Sequence, residues 1–280
     1  MNILNFAFLL LPILLGQSLA EQPHDFARKC AHIPVNASAE LHIKAAGSFL
    51  PIASAGAQKT VIPVHWHTIT DDQSVGAINA TRIGAQIKTL NHGFRGTGFS
   101  FKLKDVDQTI NNTWFYSTSH EENPDLTAMK TLLHKGELNE LNIYTVNLTG
   151  GIVGFATPPF LASGTPIMDA VVIHHDTLPG GPWGPKFSLG KTAVHEVGHW
   201  LGLYHLWEGG CNDDNGDYVD DTPPQATPTF GCPAFKDSCP GDGVDLVHNF
   251  MDYSFDSCLT SFTKGQIARM HTVSSVFRGM

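Results

Sequence analysis

Basic charge is scarce in this chain. Seventeen Lys and Arg stand against 26 Asp and Glu, a formal net charge of −9, and nowhere do basic residues gather into a stripe. With nothing to neutralise a row of phosphates, a nucleic-acid partner is excluded. Long apolar runs are equally few. The stretch from Phe6 to Leu15 is too short to span a bilayer, and no later segment is apolar enough to cross one, so no membrane partner is expected. Internal repeats and low-complexity tracts are missing. Cysteine is sparse too, five in 280 residues, and unevenly placed.

What remains is an ordinary globular composition, 42% hydrophobic and 15% charged, enough for one large domain with a short segment ahead of it. Residues 1–20 read as a secretory signal peptide, since the apolar run is followed by Ser18-Leu19-Ala20, a small-x-small cleavage site. That predicts a secreted, extracellular protein. Four sequons agree with such a route: Asn36-Ala37-Ser38, Asn79-Ala80-Thr81, Asn111-Asn112-Thr113 and Asn147-Leu148-Thr149. Residues 21–58 read as a pro-segment, rich in Ala, Ser and Gly around Ala45 to Ala57 and without a long periodic element.

Residues 59–280 carry the pattern of one α+β domain. Thr60 to Thr68 alternates and is β-branched, as a strand would be; so do Phe99, Phe101 and Leu103. Ile83, Ile87, Leu90 and Phe94 share a helical face, and Leu126, Met129, Leu132 and Leu133 make a second amphipathic helix stopped by Gly136. Leu141 to Leu148 and Ala170 to Ile173 are further strands. Thr263 opens a last helix, with Gln266 completing a capping box ahead of Ile267, Met270 and Val273. Between the two halves lies an irregular stretch holding Cys211, Cys232, Cys239 and Cys258. Four clustered cysteines in a secreted chain imply two disulfides, with three connectivities open. Each would stabilise by roughly 3 to 4 kcal/mol on the chain-entropy model.

The chemistry centres on His195-Glu196-Val197-Gly198-His199-Trp200-Leu201-Gly202-Leu203-Tyr204-His205. This is H-E-x-x-H-x-x-G-x-x-H, the long zinc motif of the metzincins. On a helix from about Ser188 to Gly202, His195 and His199 lie four apart and leave the same face, so both can grip one metal ion. Val194, Val197 and Leu201 face the core. Glu196 then sits beside the metal, where a general base is needed. Gly202 allows the sharp turn that returns His205 as third ligand. Three imidazoles leave a fourth position open for water, the arrangement of a catalytic zinc site. Asn249-Phe250-Met251-Asp252-Tyr253, 46 residues after His205, looks like the Met-turn of that class, with Met251 as a hydrophobic floor under the metal.

Other candidates are read by chemistry alone. Cys30, the odd cysteine, is either a latency device whose thiolate takes the fourth zinc position, or an unpaired or intermolecularly bonded residue in a tail. Asp213, Asp214, Asp217, Asp220 and Asp221 crowd one loop with Asn212, Asn215 and Gly216, which suits Ca²⁺ or simply a solvated acidic loop. His65, His67, His174 and His175, with no acid at ligand spacing, read as structural.

Gly190-Lys191-Thr192-Ala193-Val194 leading into the motif, Gly209-Gly210-Cys211, Gly216-Asp217-x-Val219-x-Asp221-Thr222-Pro223, Gly231-Cys232-Pro233 and Met251-Asp252-Tyr253 together resemble the pappalysin family of metzincins, most of all its secreted fungal metalloproteases. The resemblance runs from about residue 60 onward. Leu206 follows the third histidine, where astacins carry Glu and adamalysin-like enzymes Asp. The likeness implies a metzincin fold: a mixed twisted sheet with helices, including the zinc-motif helix, then a disulfide-bonded subdomain ending in a helix. It implies zinc on His195, His199 and His205, Glu196 as base, and Tyr253 as hydrogen-bond donor to the tetrahedral intermediate. It implies disulfides Cys211–Cys239 and Cys232–Cys258, and a cysteine switch at Cys30. It places Asp256 at the base of the S1′ pocket, favouring Arg or Lys after the scissile bond, where the alternative is a solvated loop acid. Protein or peptide substrates, a zymogen and a monomer are expected. A catalytically silent zinc protein acting as a binding module is the competing reading.

Overall fold

The structure is a computed structural model and describes residues 29–30, 35–47, 59–117, 123–212, 215–241 and 243–280. The expected signal peptide, Asp213 and Asp214 lie outside the described residues. The strands are β1 (Lys29–Cys30), β2 (Thr60–Thr70), β3 (Phe99–Ile110), β4 (Leu141–Val146), β5 (Ile152–Ala156) and β6 (Val171–His174). They form one mixed sheet in the order β1-β5-β6-β4-β2-β3, with β5 antiparallel to β6 and every other pair parallel. The helices are α1 (Ala37–Gly47), α2 (Ala80–Gly93), α3 (Asn112–Ser117), α4 (Pro124–Leu133), α5 (Pro159–Ala162), α6 (Gly184–Phe187), α7 (Lys191–Trp200) and α8 (Lys264–Arg278).

Both faces of the sheet are covered, which is why its central strands read as near-continuous apolar runs. On one face Ile62, Val64, Trp66, Ile143 and Ile173 pack against Val194, Val197 and Leu201 of the motif helix and its exit, and against Ile83 and Leu90 of α2. On the other, Ile69, Tyr144, Val146 and Val172 meet Phe115, Leu126 and Met129. After α7 the chain is irregular as far as the isolated bridge Asn249–Ser261, and α8 closes the molecule. This is the α+β architecture that the sequence predicts. Cys211 is joined to Cys239 and Cys232 to Cys258, closing loops with separations of 28 and 26 residues in a region whose described residues form no named strand or helix.

Four readings need correction. The segment 21–58 holds a regular element after all, because α1 buries only Ala39, Glu40 and Ile43, too few apolar positions to give a visible period. Strand β5 was not foreseen, its glycine at 154 interrupting the pattern. Leu132 does not join the α4 core face; it is 71% exposed, and the helix ends at Leu133, ahead of Gly136. His65 and His67 of the sheet do meet acids, delivered from other elements rather than along their own strand, while His174 and His175 lie beside the acid that follows them, Asp176. His65 Nδ1 lies 2.9 Å from Asp105 and its Nε2 2.6 Å from Glu140. His67 bonds Asp107 and Asn142, and His175 lies 3.1 Å from its neighbour Asp176.

That His–carboxylate network makes stability acid-sensitive. Burial opposes ionisation of Asp105, Asp107 and Glu140, but hydrogen bonds from Lys135 and His65, from His67 and Lys135, and from His65 and Lys104 respectively outweigh it. All three carboxyls are held below their ordinary values. Groups with folded pKa values below the unfolded ones contribute stability above about pH 4, and that contribution is lost as pH falls through the folded values. The urea midpoint is expected to drop between about pH 4.5 and 2.5, and Asp107→Asn to flatten the drop. An unchanged slope in the variant would remove Asp107 from the account.

Candidate metal centre and catalytic cleft

The motif helix is set by groups distant in sequence. Gly190, in left-handed backbone at φ 81°, precedes it, and its carbonyl accepts from Gln86 Nε2 at 2.9 Å. Asp256 Oδ2 accepts the Leu189 and Lys191 backbone N–H groups at 2.9 and 3.2 Å, placing a carboxylate at the positive end of the helix dipole. Every residue from Thr192 to Trp200 is buried. The helix runs from Lys191 to Trp200, starting three residues after Ser188 and ending two before Gly202. There Gly202 N–H donates to the His199 carbonyl and Leu203 N–H to that of Gly198, a Schellman closure with Gly202 at φ 100°. That closure is what swings His205 back.

The three imidazoles converge. Nε2 of His199 lies 3.1 Å from Nε2 of both His195 and His205, and the remaining edge is 3.3 Å. A tetrahedral ion with metal–nitrogen bonds of about 2.05 Å demands edges of about 3.3 Å, so the triangle fits zinc. The other ring nitrogens are committed: His195 Nδ1 donates to the Phe250 carbonyl and His199 Nδ1 to that of Leu203, both at 2.7 Å. Carbonyls only accept, so each Nδ1 carries the proton and each Nε2 presents a lone pair inward. Trp207 stacks on His205 with ring centroids 4.3 Å apart. Neither the carbonyls nor Trp207 carries a sequence signal.

Met251, fully buried, packs against α7, its sulfur so close that a Cβ on Gly198 would lie 2.5 Å from it. The turn is rigid: Asn249 Oδ1 accepts from Met251 N–H, and the Asn249 and Gln266 amides bond each other, tying the turn to the α8 capping box. Asp252, wholly buried, accepts from the Thr229 and Tyr253 N–H groups, and burial pushes its carboxyl up.

Across the triangle lies Cys30. Its Sγ is within 4.8 Å of all three Nε2 atoms and donates to Glu196 Oε2 at 3.1 Å. The Tyr253 hydroxyl accepts from Cys30 N–H at 2.7 Å and donates to the Cys30 carbonyl at 3.2 Å. Strand β1 is the sheet's edge strand, seated on β5, where Gly154 passes so near Glu196 that a Cβ would clash with its carboxylate.

The acidic loop is divided. Asp221 accepts from Thr263 Oγ1 and Gly265 N–H at the start of α8. Asp217 Oδ1 accepts from Thr222 Oγ1 and Val219 N–H, its Oδ2 is buried without a hydrogen-bond partner, and burial pushes its carboxyl up to about 7. Of the sequon asparagines, Asn36, Asn79 and Asn111 cap turns through Oδ1, and Asn147 Oδ1 faces His174 Nε2.

A sheet laid over a helix with paired histidines, a third returned by a glycine turn and a methionine turn packed against that helix defines a metalloendopeptidase of the metzincin class. Residues 185–275 match the model of the peptidase M43 family, pregnancy-associated plasma protein-A. The chain is 39% identical to extracellular metalloprotease 1 of Coccidioides posadasii over 96% of both chains. It is 44% identical to the extracellular metalloprotease of Pyricularia oryzae, over 77% of this chain and 74% of that one. The chain belongs to the pappalysin family. Among solved structures it is similar to a Tannerella forsythia promirolysin mutant (TM-score 0.70, 28% identity, 86% of this chain and 87% of that one). It is also similar to mature mirolysin in complex with a cleaved peptide (TM-score 0.65, 30% identity, 77% and 91%).

Proposed function

We propose that this chain is a secreted zinc endopeptidase, made as a latent zymogen and acting through Glu196 and Tyr253. The observation that carries the reading is the 3.1–3.3 Å triangle of Nε2 atoms, with Glu196 and Tyr253 meeting Cys30 beside it. His195, His199 and His205 would hold the ion, and zinc bound there would polarise a water and bring its pKa near 7. Glu196 takes the proton as that water attacks the peptide carbonyl and returns it to the leaving amine. The Tyr253 hydroxyl, which reaches the Cys30 backbone in this state, donates to the developing oxyanion once β1 is gone. Extracellular action is supported by the names of the curated relatives. Ca²⁺ is kept as a second ion for the Asp217 loop, whose buried Oδ2 suits a hard cation.

Asp256 is proposed to favour Arg or Lys after the scissile bond. It is 1% exposed and already orients α7 through Leu189 and Lys191, so one carboxylate would serve two roles. A quenched-peptide library tests both levels, run on protein freed of residues 21–58 with and without a zinc chelator. Chelator-sensitive cutting before Arg or Lys is expected. Cutting before large apolar residues would discard the Asp256 role, and no cutting by metal-loaded protein would discard the enzyme reading.

Latency is proposed to rest on Cys30, which blocks Glu196, Tyr253 and the metal's open side at once. Full-length Cys30→Ala is therefore expected to cut a quenched peptide without prior processing, by at least about ten-fold over the uncut parent. A variant as silent as the parent would transfer latency to the rest of the segment.

A further inference from the structure

The best-built polar site outside the cleft lies behind the third histidine. Glu40 of α1 is 7% exposed and Arg269 of α8 is 8% exposed. Arg269 Nη2 donates to Glu40 Oε1 at 2.7 Å and Nη1 to Oε2 at 2.9 Å, and the Tyr204 hydroxyl donates to Oε1 at 3.0 Å. The receiving side of this contact is assembled without α1. Arg269 Nε is held by the Gly202 carbonyl at 2.9 Å, and the guanidinium lies 5.0 Å from the Tyr204 ring centroid and 5.5 Å from that of Tyr218. Two N–H groups and a phenol are thereby fixed in the geometry of a bidentate carboxylate receptor.

Helix α1 brings little else to the contact. Ala39 and Ile43 are its buried apolar residues, while Leu41 is 70% exposed. An alanine and an isoleucine bury little surface, so recognition falls on the carboxylate. Once α1 departs, Arg269 loses its bidentate partner and opens to solvent, while the Gly202 carbonyl and the two aromatic rings still hold its guanidinium at the vacated place, ready for another carboxylate.

We propose that the Arg269–Tyr204–Tyr218 pocket is a carboxylate-binding site of the mature enzyme, whose ligand is the released α1 helix bound back in trans through Glu40. The contacts differ from those of the metal cleft: Glu40 meets Arg269 and Tyr204, whereas Cys30 meets Glu196 and Tyr253. The pocket adjoins Gly202 and Tyr204, the segment that returns His205, so its occupant braces the third ligand from behind. The proposal rests on the reading that residues 21–58 are removed on activation.

The test begins by weighing the activated protein by mass spectrometry. A mature chain that retains Ala37–Gly47 overturns the proposal, because the pocket is then never vacated. Processed Glu196→Gln enzyme, which leaves the peptide uncut, is titrated with a labelled peptide of residues 35–47, and anisotropy is read. Saturable binding is expected, weakened about a hundred-fold by Glu40→Gln in the peptide and unaffected by an active-site-directed peptide inhibitor. The decisive change is made in the peptide, so folding of the enzyme is not at issue; Arg269→Gln on the enzyme side should match its effect. Equal affinity of the two peptides, displacement by the inhibitor, or no saturation by the parent peptide would each overturn the proposal. Binding is read without turnover, so a failure of the peptidase reading leaves this result standing and is seen separately in the library assay.

Discussion

Glu196→Gln is expected to keep one equivalent of zinc and to lose about a thousand-fold or more in kcat/KM. Position 196 lies one residue from a ligand on a buried helix, and its carboxylate reaches the cleft close enough to meet the Cys30 thiol at 3.1 Å. Glutamine preserves that shape and its hydrogen bonds to one side, but it cannot accept a proton from the attacking water or return it to the amine. The histidine triangle is fixed by the Phe250 and Leu203 carbonyls, not by Glu196, so metal content should be unchanged. Metal analysis with a quenched-peptide assay on processed protein reads both quantities. Turnover within ten-fold of the parent at full zinc occupancy would remove Glu196 from the mechanism.

The second large effect belongs to Gly202→Ala. Residue 202 has φ 100°, backbone that L side chains rarely adopt, and an added Cβ would lie 2.4 Å from Val273 Cγ1 and 2.8 Å from Val273 Cβ. Val273 is β-branched and buried on α8, so it cannot swing aside as a lysine would. Strain and overpacking together should cost about 3 to 5 kcal/mol, lowering Tm by about 10 °C for a chain of this size. Zinc affinity should fall as well, because the same turn returns His205 and its carbonyl anchors Arg269. Calorimetry on the zinc-loaded protein, followed by competition with a chelator, measures both. A Tm within about 2 °C of the parent would show that α8 yields freely there.

The motif helix, the last helix with its capping box and most strands were legible in the sequence because each carries its own period or cap. The convergence of the three imidazoles was legible for a similar reason: four-residue spacing on a helix and a glycine turn are local geometry. What holds that set in place was not. Gln86, Asp256 and Phe250 reach α7 from 55 to 104 residues away, and no pattern along the chain marks a carbonyl that will fix a tautomer. The sheet's acids were missed likewise, since Asp105 and Asp107 meet His65 and His67 across parallel strands, 40 residues apart. Helix α1 was hidden by chemistry rather than distance, its buried stripe being one glutamate and only two apolar residues.

Arg278, in the last turn of α8, carries a further implication. It bonds Asp169 with both arms of its guanidinium and the Trp200 carbonyl at 3.0 Å, with Trp200 Nε1 donating to the same Asp169. Together with the Phe250 carbonyl on His195 and the Asn249–Gln266 pair, this means that the histidine helix is clamped by residues made long after it. A nascent chain that has emerged only as far as Leu206 already holds all three histidines and the Trp200–Asp169 bond, but lacks Arg278, Phe250 and the Asn249–Gln266 pair. During synthesis the metal site is therefore among the last parts to set, and the growing chain is shielded from its own chemistry until its C-terminal helix has docked.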